Sequence, residues 1–433
     1  MGSLKPTDFL PELEWRNLLK DVTDRGALST HLSTGSRRIY AGFDPTATSL
    51  TIGNLVPIMM LAHAKRAGHQ AVVLMGGGTG LIGDPSGKSA ERQLMTPETV
   101  AVHVAAQRPI FDSILGQVDG AEYSILNNAD WLTELSYIDV LRDVGKHFSV
   151  NMMVQKDSVK SRLNDREQGI SYTEFSYMIL QAYDFLHLYQ EEGVTAQCGG
   201  SDQYGNIIAG ADLIRRDSFA RGVEADTFGF TAPLITKADG GKFGKTETGA
   251  VWLTADRTSP YAYYQFWLNC SDDDVKNFLR VFTFLNREEI GALEREHSEA
   301  PGKRAAQRKL AQIATTLLHG ESEMLQAEGA GKALFSGDIA GLPERVLTEV
   351  FSEVPSSEHS KASLEGSDLI ELLIETGLAK SKREAREFIG AGSVSVNGQK
   401  ASDGRTLASS DLLHGTTIAL RRGKKAWHVT RWS

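Results

Sequence analysis

Arg38-Ile39-Tyr40-Ala41-Gly42-Phe43-Asp44-Pro45-Thr46, an apolar run from Leu50 to Ala67, and Gln70-Ala71-Val72-Val73-Leu74-Met75 together decide the fold. The first six residues read as a strand, Asp44-Pro45-Thr46 as a turn, residues 50–67 as an apolar-periodic helix, and residues 70–75 as a second strand. Similar apolar runs at Tyr123–Leu126 and Val194–Cys198 alternate with helical segments. Repetition of strand, helix and strand gives an α/β class with a parallel sheet covered on both faces. Ligands of such sheets sit at the carboxyl ends of the strands, where Asp44, Gly76–Gly83 and Gly199–Gln203 fall. Three loops therefore converge on one crevice.

Outward from this core, the 433-residue chain is too long for one ordinary domain. The expected division is an α/β domain over 1–235, a Gly-rich mobile loop over 236–250, a helical domain over 251–345, a linker over 346–366 and a small basic α+β domain over 367–433. In the helical part, Phe278, Val281, Phe282 and Leu285 recur at helix spacing. In the tail, helices at Asp368–Glu375 and Ser381–Ile389 precede Ser393-Val394-Ser395-Val396-Asn397-Gly398, whose alternation and Asn-Gly pair predict a hairpin.

Net charge is −9, yet residues 380–433 carry 11 Lys plus Arg against 4 Asp plus Glu. A basic module on an acidic body suggests a partner with phosphates. With 41% hydrophobic and 23% charged residues, neither a disordered nor a fibrous chain is indicated. No apolar run reaches about 18 residues, so no membrane partner is expected. The first residues lack a secretory or transit pattern, and only Cys198 and Cys270 are present, which points to a cytoplasmic address without disulfides or a dedicated metal site.

Gly76-Gly77-Gly78-Thr79-Gly80-Leu81-Ile82-Gly83 contains GxGxxG after a strand, and taken alone suggests a dinucleotide fold. Gly83-Asp84-Pro85-Ser86-Gly87-Lys88-Ser89 imitates a phosphate loop one residue too short. Thr51 and Asn54 lie three apart at a helix start, where backbone N–H groups favour an anion, although Thr51 could equally cap the helix. Lys242 and Lys245 sit in the Gly-rich loop 238–246. For surface lysines taken singly, solvation is the commoner explanation.

Together, Thr51-Ile52-Gly53-Asn54 and Lys242-Phe243-Gly244-Lys245-Thr246 resemble the His-Ile-Gly-His and Lys-Met-Ser-Lys-Ser signatures of class I aminoacyl-tRNA synthetases. Tyr40–Thr46, Gly80–Ser86, Gly145–Asn151, Gln181–Asp184 and Gly199–Gln203 are similar to the bacterial-type tyrosyl-tRNA synthetase family, over essentially the whole chain. That resemblance implies a Rossmann-like catalytic domain, a helical anticodon-side domain and an RNA-binding tail. It implies L-tyrosine, ATP with Mg²⁺ and tRNA(Tyr) as substrates, no tightly bound cofactor, and a homodimer. By the same resemblance Tyr40 and Asp184 meet the substrate phenol, while Tyr177, Gln181 and Asp84 hold its amino group. Gln203 orients the carboxylate; Asp202, Gly42 and Gly200 hold the adenylate ribose; Asp44, Gly53, Thr79 and Asn128 line or adjoin the pocket. Thr46, Thr51 and Asn54, with Lys88, Arg92, Lys242, Lys245 and Thr246, serve the phosphates.

The sequence departs from the family pattern where Thr51 and Asn54 replace the two signature histidines, and Tyr204 stands for the common Trp. Thr and Asn can each donate one hydrogen bond to a phosphate oxygen, so the site reads as retuned. The departure also motivates a second reading, a synthetase-like RNA-binding paralogue with weak aminoacylation. A nicotinamide-dependent dehydrogenase rests on GxGxxG alone.

Overall fold

A computed structural model describes residues 4–84, 94–156, 159–160, 163, 169–246, 249–352, 354–423 and 426–433. Five parallel strands, β1 (Arg38–Phe43), β2 (Gln70–Met75), β3 (Tyr123–Asn127), β4 (Val194–Gly200) and β5 (Phe228–Ala232), lie in the order β3-β2-β1-β4-β5. The order reverses direction between β1 and β4, and that switch point opens a crevice above their carboxyl ends. The first two strands occupy the residues expected from the sequence. β5 was not anticipated: it is short, wholly buried, and carries Gly229, where a Cβ would stand 2.2 Å from Ile207 Cγ2.

The helix between β1 and β2 starts later than its apolar pattern suggests. Ile52–Asn54 forms a 3₁₀ turn, and α1 then runs from Leu55 to Arg66. Thr51 forms an isolated antiparallel bridge to Trp252, with Ile52 N bonded to Val251 O at 2.9 Å, and this extended pairing delays the helix. Residues on every side of α1 are buried, including Lys65 and Arg66, as expected for a helix packed on the sheet and covered again from outside. The outer cover includes helix Asp272–Phe282. Arg16, fully buried, ties the covering layer down by donating to the carbonyls of Arg280, Thr283 and Leu285 while paired with Glu12 at 2.7 Å.

Further along, α2 (Pro97–Leu115) begins at Thr96, whose hydroxyl accepts from Thr99 N. α3 (Tyr172–Glu192) is capped by Ser171 and ends at Gly193, left-handed at φ 63°, which turns the chain directly into β4. α4 (Tyr204–Ala220) packs beside α3, where Gly210 leaves room for Phe185.

The chain divides into two compact units, one of residues 1–258 with 267–318 and one of 259–266 with 319–433. Much of the expected helical domain, 267–318, thus belongs with the parallel sheet. In the second unit the expected linker, 346–366, holds helix Glu344–Val350 and strand Ser356–His359. That strand adds parallel to Ala426–Trp432 in a five-stranded sheet continued by Thr417–Arg422, Val394–Val396 and Gln399–Lys400. Ile418 and Leu420 face a core with helices Leu369–Glu375 and Lys382–Gly390, whereas Ala419 and Val429 face Val346, Leu347 and Phe351. The anticipated hairpin turns at Asn397 and Gly398, with φ 49° and 85°.

Candidate active site

The crevice at the β1/β4 switch point is a cavity of about 660 Å³. It brings together Tyr40, Gly42, Asp44, Thr46, Thr51, Gly53, Asn54, Thr79, Asp84, Tyr177, Gln181, Asp184, Gly200, Asp202, Gln203 and Lys242, with Asn128 beside them. Lys245 is exposed outside the lining, and the backbone of Thr246 continues the same strand. Lys88 and Arg92 lie outside the described residues.

At the closed end, Asp184 is only 2% exposed. Asn128 Nδ2 donates to its Oδ2 and Trp131 Nε1 to its Oδ1, each at 2.8 Å. Burial pushes this carboxyl up to about 7 in spite of the two donors, and the charge of Asp44 pushes the same way. The hydroxyl of Tyr40, on β1, is buried without a hydrogen-bond partner among the described residues. Burial first, then the nearby charge of Asp184, holds the Tyr40 phenol well above its usual range. A carboxylate with spare lone pairs and an unpartnered hydroxyl at one apolar end are a receptor for a hydroxyl on a flat hydrophobic group.

Toward the middle, Asp44 Oδ1 accepts from Thr79 Oγ1 at 2.9 Å and its Oδ2 from the Tyr177 hydroxyl at 2.8 Å. Asn128 also donates to Thr79 Oγ1 at 3.0 Å, so one network runs from Asp184 to Tyr177. Gln203 Nε2 donates to Asp84 Oδ2 at 2.8 Å, and Gln181 Oε1 accepts from Asn206 at 3.0 Å. Two carboxylates and a glutamine thus face one small volume, suited to an ammonium group.

The glycine-rich segment after β2 is not a dinucleotide cradle. Gly77 N and Gly78 N already donate to Asn127 Oδ1 and Asn128 Oδ1, at 3.1 and 2.7 Å. A Cβ on Gly76 would stand 2.3 Å from Asp44 Oδ1, so glycine is required there by the network rather than by a phosphate. A short 3₁₀ turn, Thr79–Leu81, follows, and residues 82–84 beyond it are not helical.

At the open end Asn54 Oδ1 accepts from both Thr51 N and Thr51 Oγ1, at 3.0 Å each. The carbonyl side of the Asn54 amide is thereby committed, which turns its NH₂ into the group available to a ligand. The lysine loop meets this segment directly. Val251 N bonds to Gly244 O at 2.9 Å, and a Cβ on Gly244, at φ 77°, would lie 2.4 Å from Ile52 Cγ2. Phe243 anchors the loop by stacking on Phe282 at 5.3 Å and packing on Trp267 and Phe278, while Lys242 and Lys245 stay exposed.

Two residues of the site were not anticipated. Gln197 is 3% exposed, lies opposite Tyr40 in the β1–β4 register, and its Oε1 has no partner among the described residues. A polar residue inside an apolar strand was the available signal. Trp131, reaching Asp184 from the short helix Ala129–Leu132, gave no local signal at all.

The family model of class I tRNA synthetases for tryptophan and tyrosine matches residues 32–336, and that of the tyrosine–tRNA ligase C-terminal domain matches 347–430. The chain belongs to the bacterial-type tyrosyl-tRNA synthetases. It is 51% identical over 430 residues to the tyrosine–tRNA ligase of Geobacillus kaustophilus, covering 98% of this chain and 100% of that protein. It is 48% identical to the enzyme of the same name from Aliivibrio fischeri, covering 98% and 99%. Among solved structures, a C-terminally truncated mitochondrial tyrosyl-tRNA synthetase of Coccidioides posadasii superposes with a TM-score of 0.66 at 36% identity, covering 74% of this synthetase chain and 91% of that one.

A folded-state carboxyl near 7, against an ordinary 3.8, means that the folded protein keeps the Asp184 proton from about pH 4 to 7 while the unfolded chain has released it. Its stabilising contribution is complete below pH 4 and is lost as pH rises through 7. Carbon-13 labelling of aspartate should show one carboxyl midpoint near pH 7 in the ligand-free protein, missing from Asp184→Ser. For the loop, Gly244→Ala should speed tryptic cleavage after Lys242 and Lys245 at least tenfold, and Ile52→Ala in the same chain should reverse part of that. Unchanged cleavage would show that the Gly244–Ile52 contact does not hold the loop.

Proposed function

We propose that this synthetase activates L-tyrosine with ATP, releasing pyrophosphate, and passes the tyrosyl group to the 3′ end of tRNA(Tyr), with the residue roles assigned here. The observation that carries the reading is that the unpartnered Tyr40 hydroxyl and the buried Asp184 carboxyl line the same cavity. The substrate phenol donates to Asp184 and accepts from Tyr40. Its ammonium sits among Asp84, Tyr177 and Gln181, and Gln203 turns its carboxylate toward the α-phosphate. Gly42, Gly200 and Asp202, at the ends of β1 and β4, suit the ribose, with Asp44 and Thr79 supporting that wall and Gly53 giving close backbone access. The attacking carboxylate oxygen forms the bond to the α-phosphorus as the bond to the pyrophosphate oxygen breaks, so orientation and charge stabilisation suffice and no protein nucleophile is needed. Thr46, Thr51, the Asn54 amide, Lys88, Arg92, Lys242, Lys245 and Thr246 take up charge on the departing pyrophosphate. Mg²⁺ enters with ATP as part of that substrate.

The basic tail, with Lys382, Arg383 and Arg386 exposed on one helix, is the tRNA-backbone contact. A homodimer is supported by exposed apolar residues Tyr137, Ile138, Val150, Met152 and Tyr172, with the Tyr137 and Tyr172 hydroxyls 3.3 Å apart. No helix among the described residues is long and apolar enough to cross a membrane, which fits work in the cytoplasm.

The pure protein should catalyse tyrosine-dependent exchange of pyrophosphate into ATP; no exchange would favour the RNA-binding paralogue. Sites that hydrogen-bond a substrate hydroxyl, of which tyrosyl-tRNA synthetases are the standard example, reject the analogue without it by about 10⁴ to 10⁵. Tyr40→Phe should reduce kcat/KM for tyrosine about tenfold, and the preference over phenylalanine by a similar factor, since one hydrogen bond is lost. Replacing Lys382, Arg383 and Arg386 by Ala should leave exchange unchanged while raising KM for tRNA and flattening its salt dependence.

A further inference from the structure

Trp131 reaches Asp184 from a helix of only four residues, Ala129–Leu132, and packs half-buried against the core cluster that holds Tyr40, Ala182 and Phe185. Two residues of α3 fix its direction and its plane there. Asp184 accepts its N–H at 2.8 Å, and His187 lies flat against its face, with ring centroids 4.3 Å apart and planes inclined by 20°. Positions 184 and 187 are i and i+3 on one helix, so both side chains project from the same face and grip the indole in two perpendicular directions. A histidine merely solvated on this helix would not be half-buried and parallel to an indole. Tyr183 lies near the same imidazole, with ring centroids 6.3 Å apart.

The geometry points to His187 as a positioning residue for tyrosine recognition. Its imidazole fixes the plane of Trp131, so that the indole N–H stays on Asp184 Oδ1 and leaves the carboxylate aimed at the substrate hydroxyl. His187 itself lines no part of the cavity. The inference rests on the tyrosine reading of the pocket, and it assigns to His187 an effect on tyrosine binding alone, because the phosphate-facing residues lie at the other end.

The test is tyrosine-dependent pyrophosphate exchange by the full chain carrying His187→Ala, His187→Phe, Trp131→Phe, and the double change His187→Ala with Trp131→Phe. His187→Ala should raise KM for tyrosine about tenfold, with kcat within threefold and KM for ATP unchanged. His187→Phe, which restores a flat ring, should recover KM to within about threefold of the unmodified protein. In the Trp131→Phe background His187→Ala should add little, since the bond it protects is already gone. An unchanged tyrosine KM in His187→Ala, equal losses for tyrosine and ATP, failure of the phenyl ring to rescue, or full additivity with Trp131→Phe would each overturn the role. Absence of exchange by the unmodified protein would overturn the tyrosine reading and this inference with it, whereas normal exchange with an insensitive His187→Ala overturns only the inference.

Discussion

Asp184 carries a carboxylate into a place almost closed to water, where such a group costs several kcal/mol unless donors meet it. Asn128 and Trp131 meet it, and the same Asn128 also binds Gly78 N and Thr79 Oγ1. Thr79 in turn bonds Asp44, which holds Tyr177. The loops after β1, β2 and β3 are therefore cross-linked to α3 through polar atoms as well as through apolar packing. Two donors leave the carboxyl still raised, because burial outweighs them. Recognition and the rigidity of the loops draw on the same set of bonds.

Much of this was legible in the chain order alone. β1 and β2 fall where alternation of apolar runs and turn residues places them, because a buried parallel strand and its turn are local events. The start of α1 was not, since it depends on Thr51 pairing with Trp252, a contact about two hundred residues away in sequence. β5 escaped because a buried five-residue strand containing glycine has no periodicity to read. Likewise the polar stretch 346–366 looked like a linker, yet its Ser356–His359 strand is stabilised by backbone pairing with Val429–Trp432, which composition does not reveal. Polar site residues at strand ends were readable; the orientation of Trp131 came only from packing.

The replacement of both signature histidines looks less drastic in three dimensions than in one. Asn54 and Thr51 are partners, with one amide oxygen accepting twice, and that pairing aims the amide nitrogen outward without help from another element. An imidazole offers one donor whose protonation varies with pH, whereas an amide offers a donor at every pH. Beside this pair, the missing side chain of Gly244 lets the lysine loop pass close to Ile52.

The division of the chain also bears on how the protein is made. Residues 259–266 belong to the second unit, although the chain returns to the first for 267–318. Tyr261 packs against a cluster that contains Val429. At roughly 5 to 20 residues per second, Val429 leaves the ribosome on the order of ten seconds or more after Tyr261. During that interval the second unit lacks the strand that completes the cluster around Tyr261.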